Sequence, residues 1–254
     1  MSPMCGDAHG CIGVYVLGRR AVRMCLQHTP ARAIALFCTA AVHKQVSQWA
    51  GCAGISCQVT DVHALTQRVA DTQHQGVALQ VHPFCYASLQ QVLQQAPRLC
   101  VVLDSVTDPG NLGRAVRTAF AFGAQFLVIP AHNSSGITAA VEKAACGACA
   151  QLPVVRVTNL NQALLQLQKA GFWCIGADER ADVGLWEVDV CKPCAWVVGG
   201  EHKGLRPLVK RNCDELVCIP MQKSDMDLNA ADAAALLLYE TARQRAMHCK
   251  ALSS

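Results

Sequence analysis

Three short stretches of this 254-residue chain gather the residue types from which an anion clamp and a proton acceptor are made. The first, DSVTDPGNLGRAVR at 104–117, offers the amide of Asn111 and the guanidinium groups of Arg114 and Arg117. The second, GGEHKGL at 199–205, supplies Glu201, and the third, IPMQKSDMDLN at 219–229, crowds Asp225 and Asp227 ahead of Asn229 and a long apolar run. A guanidinium fork holds phosphate or carboxylate, and a carboxylate can accept a proton. None of the three is a G-x-G-x-x-G or a Walker loop, which argues against the usual dinucleotide or ATP enzymes. Each also has a reading without chemistry. Asn111 can cap the helix that follows a Pro-Gly turn, and Arg114 with Arg117 at i,i+3 can form a solvated face. Glu201 can simply favour a helix N-terminus, and Asn229 with Asp232 resembles a capping box with Asp in place of Glu or Gln.

The elements needed to position these loops are legible in the hydrophobic pattern. After Pro97 the chain alternates: strand LCVVLD, helix 112–122, strand QFLVIP, helix near 136–147, strand LPVVRV, helix 160–170, strand FWCIGAD. Strand CAWVVGG, a short helix, strand ELVCIP and a final helix from about 230 to 247 follow. Short all-apolar strands alternating with helices imply a parallel sheet covered on both faces, with ligands at the carboxyl ends of its strands. The N-terminal part reads as a small α/β unit. VYVL passes into a helix, ARAIALFC is a strand, AVHKQVSQWAG a helix ending at Gly51, and SCQVT with DVHALTQRVA repeats the pair. A Gln-rich stretch broken by Pro83 and Pro97 reads as a connection, so the expected division is 1–75, a linker over 76–97, and 98–254.

Composition sets the class. The chain is 52% hydrophobic, and no apolar run reaches the roughly 18 residues of a membrane span. Asp7 and His9 interrupt the place where a secretory signal would be apolar, so a cytoplasmic location is expected. The 16 cysteines fall largely within apolar runs, as reduced core thiols do. Two CxxC pairs, Cys146 with Cys149 and Cys191 with Cys194, have the spacing of zinc or disulfide-exchange sites; with cysteine this frequent such a pair arises by chance, and no metal is expected. Net charge is +4, and residues 1–75 carry six Lys/Arg against three acids, which suggests contact with an anionic polymer.

Taken together and in order, LDSVTDPGNLGRAVRTAFAFGA, WVVGGEHKGL and CIPMQKSDMDLNAADAAALLLYE resemble the three motifs of the SpoU-type 2′-O-ribose RNA methyltransferases of the SPOUT superfamily. The resemblance runs through about 98–247 and includes EKAACGACAQLPVVRVTNL between the first two motifs. VYVLGRRAV and the HQG at 74–76 look like the subgroup that modifies a guanosine of large-subunit ribosomal RNA. The resemblance implies an α/β protein in which a parallel-sheet C-terminal domain with a deep trefoil knot follows a small ribosomal-protein-like RNA-binding domain. It implies S-adenosyl-L-methionine as cofactor, a homodimer through the knotted domain, ribosomal RNA or else transfer RNA as partner, and neither membrane nor DNA. Asn111 and Arg117 match the functional residues of motif one, Glu201 that of motif two and Asn229 that of motif three. Gly199, Ile219, Met221 and Leu228 match positions around the cofactor.

The family's motif-one Arg has been considered a base, but a guanidinium yields its proton only at large cost. Arg117 suits a phosphate clamp that orients the ribose and stabilises the developing alkoxide. Motif three departs from the family pattern S-L-N-x-S: this chain has D-L-N-A-A, with Asp227 for a hydroxyl, Ala231 for another, and Lys223 where Gly is usual. Asp227 then attracts the sulfonium, accepts the proton, repels RNA phosphate, or is a solvated acid ahead of a helix. A non-catalytic RNA-binding relative and a zinc or redox protein are the alternatives.

Overall fold

The computed structural model describes residues 14–201, 203–222 and 227–253, and the chain divides between Pro83 and Phe84 into two compact units. In the first, β1 (Val14–Leu17) turns through Gly18 into α1 (Arg19–His28); Gly18 sits at φ +88, where a side chain would be strained. β2 (Ala33–Cys38) leads to α2 (Ala40–Ala53), which continues past Gly51 and stops at Gly54, the residue that takes the left-handed conformation. β3 (Cys57–Val59) and α3 (Val62–Val69) follow, α3 being capped by the Asp61 carboxylate, which accepts from Ala64 N at 2.8 Å. β4 (Val77–Val81) completes a sheet in the order β1-β4-β2-β3, antiparallel to both its neighbours. Alternate strand residues reach opposite faces. Val16, Leu36, Leu79 and Val81 pack with the buried side of α1 and α2, while Leu17, Phe37 and Ala78 pack with Leu65 of α3.

The expected linker over 76–97 is therefore not a linker. Val77, Ala78, Leu79 and Val81 are fully or almost fully buried in an inner strand of the first sheet. The surrounding glutamines hid a five-residue strand whose apolar positions satisfy both faces. Beyond Pro83 the chain already belongs to the second unit. Ala87 N donates to Val154 O at 2.8 Å, and the Tyr86 hydroxyl accepts from Ile137 N at 2.8 Å.

The second unit contains α4 (Leu89–Leu93), β5 (Leu99–Asp104), α5 (Pro109–Ala121), β6 (Phe126–Pro130), α6 (Ala139–Ala144) and β7 (Val154–Val157). It continues with α7 (Leu160–Lys169), β8 (Trp173–Ala177), β9 (Val183–Gly184), β10 (Cys194–Gly199), α8 (Pro207–Arg211), β11 (Glu215–Cys218) and α9 (Ala230–Ser253). Seven strands form one parallel sheet in the order β7-β6-β5-β10-β8-β11-β9, the two-residue edge strand β9 being unforeseen. Both faces are covered, as the all-apolar strands require. Leu99, Val101, Leu103, Trp196 and Val198 pack with α5, α6 and α9; Cys100, Val102, Ala195 and Val197 pack with α4, α7 and α8. The buried Trp196 indole donates to Thr241 Oγ1 at 2.8 Å, so the largest core side chain leaves no polar atom unpaired. No helix among the described residues is long and apolar enough to cross a membrane.

Candidate active site

β5 and β10 are neighbours in the sheet, as are β10 and β8, and β8 and β11, so the loops that leave their carboxyl ends converge. Asp104 ends β5 opposite Gly199, the last residue of β10, and its carboxylate is fully buried. A buried carboxylate must be paired. Here it accepts from Arg206 N at 2.9 Å and from Arg206 Nε at 2.7 Å, while Ser105 Oγ donates to it at 3.1 Å. This anchor folds the 199–206 loop back on the strand end. The fold-back needs bare backbone: a Cβ at Gly199 would collide with the Gly204 main chain, and one at Gly200 with the Ser105 carbonyl.

Glu201 leaves that loop and its Oε1 accepts from Asn111 Nδ2; Arg114 donates to Asn111 Oδ1. The amide is thus held from both ends, and its orientation is set by one acceptor and one donor. Asn111 is not the cap of α5. Asp108 is, its carboxylate accepting from Asn111 N at 2.6 Å, which leaves the Asn111 side chain, buried in the first turn, to bridge Glu201 and Arg114. The Arg114 and Arg117 side chains therefore differ. Both are exposed, but Arg114 joins the Asn111–Glu201 pair, whereas Arg117 donates to Cys146 Sγ at 3.6 Å.

In the third loop the capping reading holds for Asn229. Its Oδ1 accepts from Ala231 N and Asp232 N, each at 3.0 Å, and its Nδ2 donates to the Asp232 carboxylate. The cap fixes the entry of the chain into α9 and so the backbone that precedes it. His202, Lys223 and Asp225 lie outside the described residues. Gly199, Glu201, Ile219, Met221, Asp227 and Leu228 line one cavity of about 450 Å³, which Asn111, Asn229 and Arg117 do not line. Asp227 is exposed there and makes no hydrogen bond or ion pair with any described residue.

The cavity wall also holds charged residues that pattern reading did not single out. Asp178, just past β8, meets Lys210 of α8 at 2.7 Å. The signal was present in an acid directly after FWCIGA, but its partner is 32 positions on and is brought near only by the packing of α8. Burial works against the Asp178 carboxylate, yet the Lys210 ammonium and the hydrogen bond from Arg180 N hold it below the usual carboxylate range. The pair therefore contributes stability above the ordinary aspartate pKa of about 4, and the contribution is lost as pH falls through the lowered value. Lys210→Met should lower Tm at pH 7 and much less near pH 3. An equal deficit at both values would show that packing of the lysine stem, not the ion pair, matters.

Residues 98–239 match the SpoU rRNA Methylase family, and residues 15–87 match RNA 2′-O ribose methyltransferase substrate binding. This chain belongs to the SpoU family. An uncharacterized tRNA/rRNA methyltransferase of Mycolicibacterium gilvum is 41% identical over 91% of this chain and 76% of its own length. The 23S rRNA (guanosine-2′-O-)-methyltransferase RlmB of Shewanella oneidensis is 37% identical over 91% of this chain and 97% of its own. The crystal structure of the SpoU methyltransferase AviRb from Streptomyces viridochromogenes superposes with a TM-score of 0.75, at 25% identity, over 93% of this chain and 91% of that one.

This SpoU-family chain holds 16 cysteines, and the CKPC pair shows how two of them are accommodated. Burial pushes the Cys194 thiol up to about 11 although Arg245 lies 3.7 Å from its sulfur, and burial and Asp189 raise Cys191. A raised thiol pKa disfavours the thiolate that attacks in disulfide exchange. Among the described residues no three His, Cys, Asp or Glu side chains are grouped to hold a metal ion.

Proposed function

We propose that this SpoU-family protein transfers a methyl group from S-adenosyl-L-methionine to the ribose 2′-hydroxyl of a guanosine in large-subunit ribosomal RNA. The observation that carries the reading is the meeting of the second and third motif loops at one cavity, to which the first motif is tied by the hydrogen bond from Asn111 to Glu201, a cavity-lining residue. The RNA class is supported by the guanosine methyltransferase of S. oneidensis, similar to this chain across nearly its whole length. The cytoplasm, where ribosomal RNA is modified, is the corresponding location.

The residues present fit the cofactor. A cavity of about 450 Å³ is within the usual range for a small-molecule site, and Val198, Leu205, Ile219 and Leu228 give it an apolar wall. Asp227 offers a carboxylate for a cationic group and Lys203 an ammonium for an anionic one. When bound, S-adenosylmethionine supplies an already activated methyl group, so the protein has to position the ribose and take up one proton. Glu201 and Asn111 set the rim, Asn229 holds the 227–229 backbone against it, and Arg117 clamps a phosphate of the RNA.

Arg117 does not line the cavity of its own chain, which favours a homodimer in which a second copy brings this side chain to the site. Exposed Phe120 on α5 and exposed Leu236 and Tyr239 on α9, two helices packed along each other, supply an apolar surface for such a pair. A deep trefoil knot in the C-terminal domain belongs to the same reading, and β10 lies between β5 and β8, out of chain order.

Mapping of ribose methylation in ribosomal and transfer RNA, with and without the protein, tests the assignment. Loss of one guanosine methylation in large-subunit RNA is expected; loss confined to transfer RNA would replace the substrate, and an unchanged map would favour a binding-only relative. Arg117→Lys keeps the charge but not the planar fork, and should slow single-turnover methylation by on the order of tenfold or more while leaving cofactor affinity unchanged. Arg114, bonded to Asn111, is no neutral control, so Arg211→Lys serves instead. Equal losses at 117 and 211 would reduce Arg117 to general electrostatics.

A further inference from the structure

Between α1 and α2 of the first unit lies a groove of about 540 Å³ lined by Arg19, Arg20, Arg23, Gln27, Gln45 and Trp49. We infer that this groove binds single-stranded RNA, with the Trp49 indole as platform for an unpaired base and the arginines of α1 on the flanking phosphates. The inference deepens the RNA-substrate reading and rests on it.

Helix geometry sets the arginines in a row. Ala21, Val22, Cys25 and Leu26 are buried, which leaves Arg19, Arg23 and Gln27 as an i, i+4, i+8 stripe on the open side with Arg20 beside it. Among the described residues no acid neutralises them. From Val14 to Thr60 the sequence holds no Asp or Glu, against Arg19, Arg20, Arg23, Arg32 and Lys44, and among the described residues none of the three groove arginines forms an ion pair. A merely solvated basic face has no use for an aromatic. Trp49 packs against the core of the unit and still borders the groove, the arrangement of a fixed ring with a free surface. Its neighbours are amides rather than acids. Gln27 and Gln45 can pair with a base edge, which adds to stacking and phosphate attraction without repelling the strand. A stacking platform reaches only a base that has left the helix, so single strands and loops are the ligand class, not continuous duplex.

The test uses the full chain, a short fluorescein-labelled oligouridine, and an RNA duplex of the same length. The single strand should bind more tightly. Arg20→Gln and Arg23→Gln should each weaken it about threefold to tenfold and lower the slope of log K against log salt by about 0.7 per lost phosphate contact. Trp49→Leu should cost about tenfold or more, and Trp49→Phe, which keeps an aromatic face and most of the core packing, should recover most of that loss. Oligouridine binding unchanged in the arginine variants and in Trp49→Phe and Trp49→Leu alike would overturn the inference. So would duplex bound as tightly as single strand, or a parent chain that binds no single strand. Calorimetric binding of S-adenosylmethionine by the same variants separates the two readings. A chain that grips oligouridine through this groove but takes up no cofactor would overturn the methyltransferase assignment and leave the groove standing.

Discussion

Asp227→Asn is expected to slow methyl transfer by on the order of ten- to a thousandfold, the effect of losing one acid–base or electrostatic group at a reacting centre. The carboxylates of the cavity differ in what already holds them. Asp178 is engaged by Lys210, Glu179 lies 3.4 Å from Arg180, and Glu201 accepts from Asn111. Asp227 alone among these acids has no partner among the described residues, and it faces the cavity in which a sulfonium and a 2′-hydroxyl would meet. A free carboxylate there attracts the cation and can receive the hydroxyl proton. The amide of Asn does neither, although it is nearly the same shape. Asp227→Ser restores the family's hydroxyl and should recover activity only in part, because the rest of the site has kept an acid. Single-turnover methylation with saturating cofactor and RNA reads the effect directly. A serine variant faster than the parent would show that the carboxylate repels RNA phosphate, and would favour a degraded enzyme.

Arg206→Met should destabilise the second unit by about 3 kcal/mol, the lower end of what breaking a buried ion pair costs, because Arg206 is 42% exposed and water screens part of the attraction. The asymmetry between the partners is the sharper test. Removing the guanidinium leaves the fully buried Asp104 carboxylate with only the backbone N–H of residue 206 and the Ser105 hydroxyl as donors and no countercharge, whereas Asp104→Asn keeps an acceptor for Arg206 N and strands only a half-exposed cation. The Asn variant should lose about half as much. Both variants loosen the anchor of the 199–206 loop, so cofactor affinity should fall with stability, and more steeply for Arg206→Met. Urea titration gives the first quantity and calorimetry the second. Equal destabilisation by the two variants would mean that the cost lies in losing the Arg206–Asp104 pair itself and not in stranding a buried anion.

Most of the second unit follows from local pattern. An apolar run of four to six residues, bounded by turn residues and followed by a helix-period stripe, has few ways to be satisfied other than as a parallel strand with helices on both faces. Each of LCVVLD, QFLVIP, CAWVVGG and ELVCIP takes that form. The same logic failed at VALQV. Its neighbours are polar and its partners, β1 and β2, are supplied by residues roughly 40 to 65 positions away, so composition within a window carried no trace of its place inside a sheet. Asn111 shows the limit for the site. As a residue after Pro-Gly it looked like a cap, but Asp108 takes that place, and Glu201, 90 residues later in the chain, gives the freed amide a different task.

The sequence by itself determined which residue types stand at the ends of the strands, the family to which their order belongs, and the departure at Asp227. Those are properties of adjacent residues and of periodicity, which survive without a fold. Tertiary structure alone decided how they are paired. The out-of-order placement of β10 beside β5 brings Arg206 to Asp104 and Glu201 to Asn111, the amide that Arg114 but not Arg117 contacts. A fully buried charge such as Asp104 must find its partner wherever the sheet order puts one, whereas an exposed charge such as Asp227 need not.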